Sequence, residues 1–338
     1  MNPALKSWNI DVSVLIIFFV RDDVLKETFE SVRKARPRRL LLWQDGAREG
    51  RQEDVEGIER CRKIVDNIDW NCEVYKNYQT RNWGCDPSTF LSHKWAFSIV
   101  DKCIILEDDC VPSQSFYPYC KELLDRYEYD TRINRICGMC NLENYDTTYD
   151  YLFSSAGSGP GFATWKRVAN LWDDTYSFLN NEYDMHKFQA KYNTLDDKRY
   201  HETCKAHQAE GKAHWETIYS YACQLNSQLV IIPTRNLVHN NGIGVANSTH
   251  SDLTLDQVLP QLRQLTYQPS YELSFPIKHP LFILEDVEYM QKRLHVMGRD
   301  SRTHRKYVKI KSLIWRIRHG DFMNILSKPL LSTKNGRG

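Results

Sequence analysis

Three consecutive acidic residues, Glu107, Asp108 and Asp109, directly follow the apolar run Cys103-Ile-Ile-Leu106. Like charges at contact distance repel one another unless a cation neutralises them. A divalent metal ion with oxygen ligands would do so, and it could also stabilise the negative charge of a leaving diphosphate. The alternative interpretation is a solvated acidic turn at the end of a strand.

Two other charged residues also come shortly after apolar runs. Arg21 follows the run 12–20, and Asp45 comes two residues after the run 38–43. Ligands of open α/β sheets bind beyond the carboxyl ends of the strands, so a site is expected where these runs end. An Asp-Gly turn at Asp45 and an ordinary surface charge at Arg21 are the alternatives.

The apolar pattern predicts the elements that would position these side chains. It alternates between the period of strands and that of amphipathic helices. Strands are predicted over 12–20, 38–43, 72–77, 103–106, 135–139 and 229–232, and helices over 24–35, 55–68, 88–100, 116–129 and 215–225. Such alternation predicts an α/β fold with a mostly parallel central sheet and helices on both faces.

Length and composition indicate an ordinary globular protein, because 41% of the 338 residues are hydrophobic and 26% are charged. We expect a catalytic domain over 1–280, with a polar, Tyr-rich variable subregion over 172–212, and a basic helical extension over 281–338. A formal net charge of +2 is too small to predict a nucleic-acid partner.

The cysteines and the first apolar run indicate the compartment. Ten cysteines lie singly through predicted strands and helices, which favours free thiols in a reducing compartment. Cys137 and Cys140 have no second pair at zinc-site spacing and are expected to be buried structural thiols. The run 12–20 is shorter than the roughly 20 residues that span a bilayer, and it lacks the flanks of a signal peptide. A cytoplasmic protein is predicted.

Several motifs, in order along the chain, resemble a known family. They are Phe18-Phe-Val-Arg21, Pro37-Arg-Arg-Leu40 through Asp45-Gly46, Lys94-Trp-Ala-Phe97, and Ile104-Ile-Leu-Glu-Asp-Asp-Cys-Val-Pro-Ser113 with Phe116. The series resembles inverting GT-A glycosyltransferases, above all a bacterial group loosely labelled hemolytic-protein-like glycosyltransferases. It is more distantly similar to the eukaryotic N-acetylglucosaminyltransferases that extend mannose. The resemblance covers roughly residues 10 to 255. It implies a GT-A, Rossmann-like nucleotide-diphospho-sugar transferase fold.

The resemblance implies a site for a nucleoside-diphosphate sugar, such as a UDP-sugar. Asp109 matches the acid that coordinates Mn²⁺ or Mg²⁺ in the family, and Glu107 and Asp108 match the acids that approach the donor ribose and sugar. Asp45 matches the acid that binds the nucleotide base. Arg21 matches the basic residue beside the nucleotide.

One base contact of the eukaryotic relatives has changed in this chain. Their histidine, three residues before the helix Trp, is replaced here by Ser92, and His93 follows it. We therefore assign His93 and Lys94 to the donor site. The alternative is a helix histidine that is structural or merely exposed.

The acceptor side of the resemblance lies in two later segments. Ala213-His-Trp-Glu216 resembles the family's Trp-Asp catalytic site, which implies that Glu216 is the general base and that Trp215 stacks on the acceptor sugar. Gly161 and Phe162 lie in a segment that resembles the floor under both substrates. The structural alternatives are a carboxylate at a helix N-terminus and a core Trp.

A loop and a tail complete the predicted site. The segment from Asn236 to His250 resembles the bacterial group's closing loop, which implies that His250, or His239 as second choice, meets the metal or the diphosphate. Basic and apolar residues mix over 302–318, which predicts a basic amphipathic helix suited to an anionic membrane surface. A helix packed on the domain is the alternative for the tail.

The sequence therefore predicts a metal-dependent glycosyltransferase, peripheral on the inner face of a membrane, that acts on a glycan or lipid-linked acceptor in bacterial surface polysaccharide synthesis. A sugar nucleotidyltransferase is the enzymatic alternative, although no glycine-rich basic loop follows the first predicted strand. A non-catalytic glycan-binding or scaffold protein with the same fold is the other alternative.

Overall fold

A mostly parallel sheet forms the centre of the chain in the computed structural model, which describes residues 5–142, 145–192, 195–242, 254–263 and 267–321. The strands are β1 (Ile10–Phe18), β2 (Pro37–Gln44), β3 (Glu73–Tyr78), β4 (Lys102–Glu107), β5 (Cys110–Pro112), β6 (Ile133–Cys137), β7 (Tyr151–Ser154), β8 (Phe162–Trp165), β9 (Leu229–Pro233) and β10 (Val238–Asn240). The helices are α1 (Asp22–Ala35), α2 (Gln52–Val65), α3 (Cys85–Ile99), α4 (Phe116–Arg126), α5 (Lys166–Ala169), α6 (Glu182–Lys191), α7 (Leu195–Glu210), α8 (Trp215–Leu225), α9 (Pro260–Arg263), α10 (Val287–Val296) and α11 (Arg302–Arg318), with 3₁₀ turns at Ser177–Asn180 and Leu255–Gln257.

Eight strands form one sheet in the order β3-β2-β1-β4-β8-β6-β9-β7. Parallel pairs join β3 to β2, β2 to β1, β1 to β4, and β6 to β9. Only two strands of this sheet are reversed, β8 between β4 and β6, and β7 beside β9. The predicted α/β fold with a mostly parallel central sheet is therefore confirmed.

The strand order places helices on both faces of the sheet. α1 connects β1 to β2 and α2 connects β2 to β3, so both connections cross the sheet in the same direction. α3 connects β3 to β4 and crosses the sheet in the opposite direction. Right-handed crossovers therefore put α1 and α2 on one face and α3 on the other. Coverage of both faces explains the continuous apolar sequence of β1, in which Val14, Leu15 and Ile16 are each 0% exposed.

Predicted and observed elements agree within a few residues over most of the chain. α8 spans the predicted 215–225, and β1 begins two residues before the predicted 12–20. The strands β7 and β10 were not predicted from the apolar pattern. They have four and three residues, too few for an alternating pattern to be recognised.

Aromatic stacking anchors the polar subregion 172–212, in which the sequence shows only weak core signals. The buried ring of Tyr221, in α8, stacks on Phe178 at a centroid distance of 4.7 Å and on Phe188 at 4.9 Å. These contacts fix a 3₁₀ turn and α6 against α8. The subregion therefore packs on the helix whose first turn carries Trp215 and Glu216.

The C-terminal extension also contacts the core. Tyr289 of α10 is buried, lies edge-to-face with Tyr145 at 5.3 Å, and accepts a hydrogen bond from the amide of Asn141 at 3.3 Å. The expected domain boundary near residue 280 stays a prediction. Within the described residues, no helix is long and apolar enough to cross a membrane.

The cysteines are free thiols, and eight of the ten are buried. Cys137 and Cys140 are both 0% exposed, as predicted for structural thiols. Burial raises the pKa of the Cys140 thiol to about 11, so this thiol stays protonated at neutral pH.

Candidate functional site

The acidic triplet lies at the carboxyl end of β4, where Arg21 reaches it from beyond the end of the neighbouring β1. The guanidinium of Arg21 forms ion pairs with Asp108 and with Asp109, the second at 3.0 Å between Nη2 and Oδ2. Thr28 of α1 donates a hydrogen bond from Oγ1 to the carbonyl of Asp108 at 2.8 Å. Two adjacent strand ends and α1 thus hold one charged cluster together.

One guanidinium does not balance the three carboxylates of this cluster. Burial, together with the charges of Asp109 and Asp108, raises the pKa of Glu107 to about 8. Burial also raises the pKa of Asp108 to about 6, although the charge of Arg21 opposes it. The raised pKa keeps Glu107 largely protonated at neutral pH, and the two aspartates still exceed the single positive charge of Arg21, an excess that a cation would offset.

Asp109 has suitable donor atoms for a hard divalent cation. Its Oδ2 accepts from Arg21, and its Oδ1 accepts a hydrogen bond from Asn240 Nδ2 at 3.2 Å. A carboxylate offers about four lone-pair sites, so these contacts leave capacity for a metal bond. The oxygen donors and the excess negative charge fit Mg²⁺ or Mn²⁺.

The chain returns over Asp109 after β10. The amide of Asn241 donates to the Asp109 carbonyl at 3.0 Å, and a Cβ on Gly242 would lie 2.2 Å from Asp109 Oδ2. Only glycine fits so close to this carboxylate. The close approach of the loop to Asp109 thus explains the glycine at position 242.

His239, the second choice for a metal contact, faces away from this point. Its Nδ1 lies 2.7 Å from the carbonyl oxygen of Gln268, whereas the next side chain along β10, Asn240, contacts Asp109. Successive side chains of a strand point to opposite faces, which explains the difference. His250 lies outside the described residues, so its predicted role stays a prediction.

A cavity of about 390 Å³ opens beside the triplet. Predicted donor contacts form part of its wall: Arg21, Asp45, Glu107 and Asp108. The lining also includes residues that were not predicted: Arg48, Asn82, Ser88 and Thr89. Residues from three separate segments that were predicted to bind the donor therefore line one cavity.

Asp45 shapes the loop at the rim of this cavity. Its carboxylate accepts hydrogen bonds from the amides of Gly46 and Trp83 at 3.0 Å and of Gly84 at 3.1 Å. Burial raises the pKa of Asp45, and these amide donors oppose that shift. These contacts give Asp45 a structural role in the loop, and its contact with the nucleotide base stays a prediction.

A larger cavity of about 770 Å³ contains the predicted acceptor-side pair, Trp215 and Glu216. Glu216 is exposed in the first turn of α8, and Trp215 is 8% exposed. The charge of Glu216 is among the causes that raise the pKa of Glu107, after burial and the two neighbouring aspartates. The two predicted acceptor-side residues therefore line one cavity.

Four predicted donor or acceptor contacts line neither cavity, and neither does the predicted metal ligand Asp109. His93 is buried on α3 and shares a hydrogen bond with the Tyr219 hydroxyl, whereas Lys94 is exposed. The spacing of His93 from Phe90 and Phe97 puts it on the apolar face of the helix. Gly161 and Phe162 are also buried; the first has a φ of 57° and the second lies in β8 between β4 and β6. Phe162 therefore lies within the sheet, Gly161 directly precedes its strand, and neither lines the two cavities.

The buried His93 predicts a specific loss of stability in acid. Burial lowers its pKa to about 3, below the unfolded value near 6.5, so the unfolded state binds more protons between these values. Folding stability should therefore fall as the pH drops from 6.5. By pH 5 the loss due to His93 is about 2 kcal/mol.

Urea unfolding of wild type and His93→Phe at pH 7 and pH 5 measures this loss. The free energy of unfolding should fall less in the variant by about that amount. His186→Gln, at an exposed histidine of α6, serves as control and should match wild type. An identical pH dependence in His93→Phe would contradict the assignment.

Two features of the site were absent from the sequence analysis. Arg135 lines the larger cavity, and its sequence signal was a lone arginine within the apolar strand β6. Within the described residues, the three-residue cluster with metal-ligand spacing consists of His295, Asp300 and His304. Both histidine Nδ1 atoms lie 2.6 Å from the Asp300 carboxylate. This cluster joins α10 to α11 and was not predicted.

Comparisons with known proteins do not place the chain in a family: no protein-family model and no curated protein matches it. Among solved structures, it is similar to mouse xyloside xylosyltransferase 1, with a TM-score of 0.33 and 10% identity over 64% of this chain and 81% of that one. Mannose-1-phosphate geranyltransferase from Thermus thermophilus gives a TM-score of 0.33 and 11% identity over 69% and 76%. For 4-diphosphocytidyl-2C-methyl-D-erythritol synthase from Anaerococcus prevotii, the TM-score is 0.30 and the identity 12% over 51% and 78%. Similarities this low assign no activity to the chain.

Proposed function

We propose that the chain is a metal-dependent glycosyltransferase that moves a sugar, with inversion, from a nucleoside diphosphate to a glycan or lipid-linked acceptor. The observation that supports this most is the presence of two cavities, one beside the acidic triplet and one lined by Glu216 and Trp215. Glu107 lines the smaller cavity with Arg21 and Asp45, and Glu216 lines the larger one. A donor in the first cavity and an acceptor in the second would meet at these carboxylates.

Glu216 is the general base of this proposal. Its carboxylate takes the proton from the acceptor hydroxyl as that oxygen bonds to the anomeric carbon. The bond between this carbon and the diphosphate oxygen breaks on the opposite side, and the nucleoside diphosphate leaves with the bonding electrons. Arg21 provides positive charge beside the smaller cavity, where it would stabilise the leaving group.

Asp109 is the proposed metal ligand. A bound Mn²⁺ or Mg²⁺ supplies Lewis-acid stabilisation of the leaving diphosphate. Arg21 holds the carboxylates of Asp108 and Asp109 together, and Asn240 orients Asp109 from the other side. The protein side chains thus fix the direction of the ligand oxygen atoms before any substrate binds.

A sugar nucleotidyltransferase is the second candidate, and the start of α1 argues against it. Such an enzyme needs a glycine-rich, basic loop after the first strand to surround a nucleotide triphosphate with amides. Here only residues 19–21 separate β1 from α1, without glycine, and the single cation Arg21 is paired with two aspartates. Glycosyl transfer therefore fits the site better.

A donor screen separates the two candidates. Purified protein is incubated with nucleoside-diphosphate sugars and Mn²⁺, and in parallel with nucleoside triphosphates and sugar 1-phosphates. We expect Mn²⁺-dependent release of a nucleoside diphosphate from one donor. Release of pyrophosphate from a triphosphate would instead identify a nucleotidyltransferase, and no metal-dependent product from any donor would count against both.

We further propose that α11 binds an anionic membrane surface. Four of its apolar side chains are 40% or more exposed and recur at the spacing of one helix face, namely Tyr307, Ile310, Ile314 and Ile317. The flanking residues Lys306, Lys311 and Arg318 add positive charge. Val308 is buried and anchors the helix, and in the described part of the chain the apolar face is exposed and would contact acyl chains.

Vesicle sedimentation tests this surface. Wild-type protein should bind phosphatidylglycerol vesicles, and Ile310→Ser with Ile314→Ser should weaken the binding at least tenfold, because each buried isoleucine contributes about 2 kcal/mol. Val55→Ser, at an exposed apolar residue of α2, is the control. Equal binding of the double variant and wild type would refute the membrane surface.

A further inference from the structure

The larger cavity, which Glu216 lines, is also lined by several basic residues. It lies between α8, β6 and the segment that joins α10 to α11. Five arginines line it: Arg135, Arg293, Arg299, Arg302 and Arg305. Its three acidic lining residues are Asp197, Glu216 and Asp300, and the last is hydrogen-bonded to two histidines. The wall therefore has more positive than negative charge.

Arg135 is the most informative of these arginines. Its Nε is buried and has no hydrogen-bond partner, and in the described part of the chain its side chain forms no ion pair. Burial raises the pKa of Tyr200 and of Tyr219, and the nearby positive charge of Arg135 opposes both shifts. A half-buried guanidinium without a counter-ion among the described residues is costly, and an anion bound in the cavity would offset that cost.

A second arginine, Arg293, adds positive charge to the wall of the same cavity. Arg293 of α10 donates from Nε to Asn141 Oδ1 at 3.0 Å, which fixes its direction with a neutral partner. Burial lowers the pKa of Arg293, and the positive charges of Arg299 and Arg135 lower it further. Arg135 and Arg293 therefore add positive charge to the same cavity, where an anion would be stabilised.

We propose that this cavity binds an acceptor whose anionic group, a phosphate, diphosphate or carboxylate, is held by Arg135 and Arg293. The inference rests on the proposed function, in which Glu216 in the same cavity deprotonates the acceptor hydroxyl. Guanidinium groups bind the paired oxygens of phosphates and carboxylates through two parallel hydrogen bonds. The arginines thus hold the charged part of the acceptor, and Trp215 and Glu216 lie on the cavity wall for its sugar.

Binding without metal tests the cavity separately from the donor site. Isothermal titration in the presence of a chelator uses decyl diphosphate, glucuronic acid and the neutral octyl glucoside as probes. Wild type should bind one anionic probe at least tenfold more tightly than the neutral probe. Arg135→Gln should lose that preference at least tenfold, Arg135→Lys should keep part of it, and Arg132→Gln, at an exposed arginine three residues away, should match wild type.

The tighter anionic probe identifies the source of the charge: the diphosphate indicates a lipid-linked acceptor, and the glucuronic acid an acidic glycan. Arg135→Gln should melt at or above the wild-type temperature, because it removes an unpaired buried charge. Equal binding of anionic and neutral probes, or an unchanged preference in Arg135→Gln, would overturn the inference. So would a lowered melting temperature in both Arg135 variants, which indicates a structural role.

The outcome is distinguishable from that of the proposed function. Mn²⁺-dependent cleavage of a donor by water is measured on the wild-type protein without acceptor, so it reports on the donor site separately from anion binding. If anions bind through Arg135 but no donor is cleaved, the proposed function fails and the anion site remains. If a donor is cleaved but no anion binds through Arg135, this inference alone fails.

Discussion

Replacement of Glu216 by glutamine should reduce transfer to the acceptor by about a hundred- to ten-thousandfold, the range that general-base catalysis contributes. Glutamine has the same shape but cannot accept the proton of the acceptor hydroxyl. Donor affinity should stay within twofold of wild type, because Glu216 lines the larger cavity and not the one with Arg21 and Asp45. Initial rates of transfer and calorimetric donor binding measure the two quantities.

Glu202→Gln is the matched control for this experiment. It removes an exposed carboxylate from α7 and should leave both quantities unchanged. An active Glu216→Gln enzyme would refute the assignment of the base. The role would then pass to Asp197 or Asp300, the other carboxylates on the wall of the larger cavity.

Replacement of Asp109 by asparagine should reduce metal-dependent donor turnover by roughly a hundred- to a thousandfold, because Lewis-acid stabilisation of the leaving diphosphate contributes several kcal/mol. The variant should also require more Mn²⁺ for half-maximal rate. The amide keeps the size of the side chain, so the contact with the nearby Gly242 loop is retained. Donor cleavage over a Mn²⁺ titration measures both effects.

Asp101→Asn is the control, since it removes an 83% exposed carboxylate before the opposite end of the same strand. Its Mn²⁺ dependence should equal that of wild type. Thermal unfolding of both variants checks that Asp109→Asn still folds after the loss of one partner of Arg21. A folded Asp109→Asn protein with wild-type Mn²⁺ dependence would exclude Asp109 as the ligand.

The sequence predicted the parallel part of the fold because its strands are long and buried on both faces. The run around Leu15 shows this most clearly. The two reversed strands, β7 and β8, were harder to predict. β7 has only four residues, and β8 lies between β4 and β6 through contacts between residues far apart in the chain. Strand order of this kind follows from packing and not from local periodicity.

The site was predictable where it follows from the ends of parallel strands. That rule brought Arg21, Asp45 and the acidic triplet to one edge of the sheet, although the ion pairs of Arg21 follow from tertiary packing. His93 was assigned by a motif, but the apolar face of α3 buries it against Tyr219. The arginine wall combines one residue of β6 with residues from the C-terminal extension, so no local pattern shows it.

The most direct test of the central claim is the electron paramagnetic resonance signal of free Mn²⁺ during titration with protein and a nucleoside diphosphate. If the triplet and the smaller cavity form a metal-nucleotide site, protein and nucleotide together should remove free Mn²⁺ well beyond what the nucleotide alone binds. Asp109→Asn should abolish this additional binding. Free Mn²⁺ that is the same with wild type, with Asp109→Asn and with nucleotide alone would contradict the account.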